Sequence, residues 1–110
     1  MSDARTQATF DEADRAVAFT RDNSEEYGRL VGACKGLEHK RKVIRAQEML
    51  KSEAKTVTLK EAEAESSDEY IKVIEEIENT WAEKTTLETL MKAAEMTFDL
   101  YRSSNKWGGP

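Results

Sequence analysis

The chain has 110 residues, one proline and one cysteine, with 35% charged and 38% hydrophobic side chains. That bounds it to a single domain, excludes an intramolecular disulfide or a thiolate metal cluster, and is too apolar and too regularly patterned for disorder throughout. The net charge of −5 conceals blocks: residues 1–34 carry −3, residues 35–60 carry +5, and residues 61–110 carry −7.

The N-terminus is polar and has no apolar stretch of the signal-peptide kind, so residues 1–8 are expected to be a flexible lead. Alanine, glutamate, lysine and leucine then dominate, a composition that favours helix almost everywhere. Thr9-Phe10-Asp11-Glu12 has the capping-box form, in which hydroxyl and carboxylate satisfy each other's orphan amides. It opens a helix over about 9–21. Asp22-Asn23-Ser24 reads as a weaker start, because such side chains compete with helical backbone bonds. From there a second helix, continuous with the first if that start is passed over, runs to about 54. Within it, Tyr27, Leu30, Cys34, Leu37 and Ile44 make an apolar stripe, so Cys34 is expected to be a small buried hydrophobe.

Gly28, Gly32 and Gly36 recur every four residues. Glycine costs about 1 kcal/mol in a helix interior relative to alanine, and the three together read as a helix-packing face that lets another helix approach closely. Directly after them comes the basic block. Lys35, Arg41, Lys42 and Arg45 share one broad sector of the helix and Lys40 lies on another. Lone His39 has no second ligand at metal spacing, so no metal and no cofactor are expected.

Lys55-Thr56-Val57-Thr58 reads as a connector, since three β-branched residues interrupt the helical run. Thr58-Leu59-Lys60-Glu61 and Ser66-Ser67-Asp68-Glu69 repeat the capping form, predicting a short helix over about 59–65 and a long one over about 67–103. In that last helix Tyr70, Ile74, Ile77 and Trp81 step by four, three and four, the seam of a coiled coil. The series resumes at Leu87, Met91, Ala94, Phe98 and Tyr101 after a shift near Lys84-Thr85-Thr86. Residues 105–110 are helix stoppers and are expected to form a flexible tail after a helical domain over 9–104.

Two long amphipathic helices joined by a short connector predict an all-α, elongated antiparallel hairpin with an extra N-terminal helix. Helices of about 45 and 55 Å leave more apolar surface than one facing helix covers. Ile74, Ile77, Trp81, Leu87, Met91 and Phe98 are therefore the expected interface of a homo-oligomer. No run approaches a membrane span, no phosphate cradle or catalytic triad is present, and a non-enzymatic cytoplasmic protein is expected.

Several segments carry a resemblance: Leu37-Glu38-His39-Lys40-Arg41-Lys42, then Thr56 to Ala64, Ser67-Asp68-Glu69-Tyr70, and Asp99-Leu100-Tyr101-Arg102-Ser103. Across about 24–104 the chain resembles small helical proteins of tailed-phage recombination modules. Its layout is similar to the UvsY family of recombination mediators, with a helical basic half, a polar connector and a long C-terminal helix that assembles. The resemblance implies an oligomer that binds single-stranded DNA, with a recombinase or single-strand-binding protein as further partners. It makes Lys35, Lys40, Arg41, Lys42 and Arg45 the DNA-facing set, to which Tyr101 and Trp107 could add stacking surfaces. The rival reading is a protein-interaction module, such as an inhibitor of a host defence complex or an assembly chaperone, working through acidic and apolar helix faces.

Overall fold

Thr9 begins the first helix as its sequence predicts. Glu12 N–H donates to Thr9 Oγ1 at 3.1 Å and Thr9 N–H donates to Glu12 Oε1 at 3.1 Å, a closed capping box. In the computed structural model, residues 8–108 are described, with side chains placed for residues 8–104. They form three helices, α1 (Phe10–Lys51), α2 (Val57–Glu65) and α3 (Asp68–Gly108), and no strand among the described residues.

The expected break at Asp22-Asn23-Ser24 does not occur. Asn23 Nδ2 donates to Phe19 O at 2.8 Å and Ser24 Oγ donates to Arg21 O at 3.1 Å, so both side chains bond back along the helix rather than capping a new one. The two expected helices are therefore one. The extra helix of the fold is α2, in the connection, and not an N-terminal element.

α1 ends at Lys51, earlier than expected. Ser52 Oγ accepts Ala54 N–H at 3.1 Å and donates to the Glu63 carboxylate, offering the backbone a local turn in place of further helix. The cap of α2 then lies two residues before the anticipated Thr58. Thr56 is extended (φ −122°, ψ 154°) and its hydroxyl accepts Leu59 N–H at 3.1 Å, so Val57 and Thr58 belong to the first turn.

Ser67 serves two helices at once. Its hydroxyl donates to Ala64 O at 2.8 Å, closing α2, and accepts Tyr70 N–H at 3.2 Å, opening α3. Asp68 and Glu69 in the first turn of α3 oppose the positive end of its dipole. α3 continues beyond 103 to Gly108, through residues 105–108 of the expected tail. Residues 1–8 fall, apart from Ala8, outside the described residues, as do Gly109 and Pro110.

The chain divides into two units. Unit 1 joins the residues up to Gly28 with those from Thr85 onward, and unit 2 is Arg29–Lys84. In unit 1, α1 and α3 run antiparallel: Phe10 meets Tyr101 edge-to-face at 6.0 Å, and further along Tyr27 bonds Glu88. Among the described residues of this unit Ala13 and Ala16 are buried, while Phe19, Leu87, Met91, Phe98 and Tyr101 are half-buried. In unit 2, α1 and α3 are again antiparallel, with α2 beside them, around Leu30, Cys34, Ala64, Tyr70 and Val73. Val73 is the largest fully buried side chain among the described residues. No helix is long and apolar enough to cross a membrane, among the described residues.

Candidate functional site

The basic block sits on α1 within unit 2. Arg45 Nε donates to Glu65 at 3.1 Å and its Nη2 lies 3.5 Å from Glu61, both carboxylates on α2. Lys40 pairs with Glu76 of α3 at 3.5 Å. Arg41 donates from Nη1 to the Tyr70 hydroxyl at 3.2 Å and from Nε to Glu38 at 3.0 Å. These bonds, the Tyr70 one first, raise the guanidinium above its ordinary value. Lys35 and Lys42 are exposed and make no ion pair among the described residues. Of the five cations expected to face DNA, three are thus tied to acceptors of the same chain. Each ion pair is partly solvated, and such pairs are worth about 0.2–1 kcal/mol.

The glycine face is bare. A Cβ built on Gly28, Gly32 or Gly36 would meet nothing within 4 Å, so these residues are not a packing face within the chain. His39 is exposed. Cys34 is buried and free. Among the described residues no group of His, Cys, Asp or Glu side chains could hold a metal ion.

A concavity lies in unit 1. Ala16, Val17 and Thr20 of α1 and Met91, Ala94 and Phe98 of α3 floor a groove of about 540 Å³. Small side chains on both helices leave this space, because alanine and threonine do not reach across to one another. Arg21, Lys92 and Glu95 rim it, and Tyr27 and Glu88 close one end. There the Tyr27 hydroxyl donates to Glu88 Oε2 at 2.7 Å. That bond holds the phenol above its ordinary value of 10.0, with desolvation and the carboxylate's charge acting in the same direction. Volume and lining suit apolar side chains of another molecule.

Against known proteins, the chain matches no family model, no curated protein and no solved structure. Its own surface therefore carries the functional reading.

The residues of the expected oligomer interface all lie on α3, three in each unit. Ile74 and Ile77 are half-buried in unit 2, and Trp81 is 47% exposed with Lys84 Nζ 4.2 Å from its ring. In unit 1, Leu87 is half-buried, while Met91 and Phe98 line the groove. Tyr101 is half-buried against Phe10; Lys106 and Trp107 lie outside the described side chains. Sequence reasoning found the α3 wall of the groove but missed Ala16, Val17 and Thr20. The available signal was a run of small residues on α1 at helical spacing, Ala13, Ala16 and Thr20.

Proposed function

We propose that this chain is a non-enzymatic protein-interaction module that works in an assembled state, completing its apolar surface against other chains, its own copies first. One observation carries this. Among the described residues seven side chains form the buried core, whereas eleven large hydrophobic ones are exposed, Leu50, Met96, Phe10 and Val57 by more than three-fifths. A small chain with so thin a core gains stability by burying such surface on a partner. Sedimentation velocity of the full chain over a wide concentration range tests it. Species heavier than the 12.5 kDa chain are expected. A single monomeric boundary at every concentration would refute the reading.

A second reading, a recombination accessory that binds single-stranded DNA, is favoured by exposed Lys35 and Lys42. The solvated pairs of Lys40 and Arg45 could exchange carboxylate for phosphate at small cost. Fluorescence anisotropy with a labelled oligonucleotide decides it: binding should weaken steeply with salt and disappear in Lys35→Glu with Lys42→Glu. Absence of binding at low salt removes this reading.

A further inference from the structure

Unit 2 carries two outward seams, one bordered by lysines and the other bearing carboxylates. On α1, Gly32, Gly36, His39, Val43, Ala46 and Leu50 step by four, three, four, three and four, and all six are exposed. At about 100° per residue they fall within roughly 80° of one another and on the side opposite Leu30 and Cys34. This is the 3.5-residue spacing of a helix seam, turned away from the core. It contains no charged side chain. Leu50 is 87% exposed, and beyond its chain neighbours and its own helix backbone a Cβ on Gly32 or Gly36 would meet nothing within 4 Å. Lys35 and Lys42 run along one edge.

α3 has a counterpart in the same unit. Ile71, Glu75, Glu78 and Ala82 step by four, three and four, all exposed, on the side opposite Val73. Among the described residues Glu75 and Glu78 make no ion pair. The seam is therefore acidic, with Ile71 as its apolar anchor.

We propose that the α1 seam of one copy docks on the α3 seam of the next. The inference rests on the self-association proposed above and names the surfaces that meet. Charge selects this pairing: α1 against α1 would set basic edge against basic edge, α3 against α3 acid against acid, and like charges across an interface cost several kcal/mol. In an antiparallel register like that of the intrachain Lys40–Glu76 pair, Lys42 falls beside Glu75 and Lys35 within a helical turn of Glu78. The bare backbone at Gly32 and Gly36 lets the neighbouring helix come close, as small residues do in tight helix pairs. Because the two surfaces differ, the contact is heterologous: it repeats from copy to copy, closing into a ring or extending as a filament.

Charge reversal tests it on the full chain. One variant carries Lys35→Glu and Lys42→Glu, the other Glu75→Lys and Glu78→Lys, all at exposed positions, with helical circular dichroism confirming the fold. Light-scattering mass is expected to fall toward one chain for each variant alone, with association weakened at least about tenfold. An equimolar mixture is expected to recover the wild-type mass, since each variant's altered seam then meets its complement. Wild-type mass retained by either variant, or a mixture that stays dissociated, overturns the seam and leaves self-association standing. A wild-type chain that is monomeric throughout overturns both. Loss of oligonucleotide binding by the lysine variant at unchanged mass assigns the lysines to DNA and likewise overturns the seam.

Discussion

Val73→Ala measures whether unit 2 has the core described for it. Val73 is 1% exposed, so truncation removes two fully buried carbons. Their transfer is worth about 1.6 kcal/mol at about 0.8 per carbon, and incomplete collapse of the space left behind adds about 1 kcal/mol. Alanine's higher helix propensity returns about 0.5 kcal/mol. The net loss is about 2 kcal/mol. Urea unfolding followed by circular dichroism reads it, at fixed chain concentration because assembly contributes to apparent stability. With a slope near 1.5 kcal/mol per M, the midpoint falls by more than about 1 M. Val57→Ala is the control, since Val57 is 63% exposed and its truncation should stay within about 0.5 kcal/mol. Equal midpoints for the two variants would refute the assignment of Val73 to the core.

Capping gives a sharper local test: Thr56→Ala should cost about 1 kcal/mol, and Thr58→Ala only a few tenths, in the same unfolding assay. The opposite order would return the cap of α2 to Thr58. In unit 1, the raised phenol of Tyr27 means that folding favours its protonated form. That stabilisation is fully present below the ordinary value of 10.0 and is lost as pH rises through the raised one. Tyr27→Phe should flatten the alkaline loss of stability, and an unchanged alkaline profile would count against the bond to Glu88. At concentrations where the chain is dissociated, Gly36→Ala should raise its stability by up to about 1 kcal/mol, because its Cβ enters open space and alanine is the better helix former. Destabilisation there would mean that the face is already occupied.

Local chemistry explains what could be read from the residues. The helical class and the capping box at Thr9 follow from composition and a three-residue spacing, and Leu30, Cys34 and Tyr70 are core members that the periodicity picks out. The continuity of α1 stayed open because Asn23 and Ser24 serve equally as caps and as back-bonding side chains, and which they do depends on the turn already formed behind them. Val73 escaped because a two-helix seam runs through Tyr70, Ile74 and Ile77, whereas α2 beside α3 widens the covered sector. The fate of the basic block was out of reach for a different reason. Lys40 finds Glu76, and Arg45 finds Glu61 and Glu65, across chain separations that no local window spans. The groove likewise needs Ala16 and Ala94 on opposite walls, a pairing created only by the antiparallel register.

The economy of Ser67 bears on how the molecule opens. α2 has nine residues, too few to persist alone in water, and Ala64 is its one buried side chain among the described residues. The hydroxyl that closes it also starts α3, so fraying of α2 and of the first turn of α3 is a single event. Amide exchange in 57–70 should accordingly proceed as one low-energy foldon, well before the central turns of α1 and α3. Each such excursion detaches Glu61 and Glu65 from Arg45, making the cationic character of α1 a property that fluctuates with the breathing of its shortest helix.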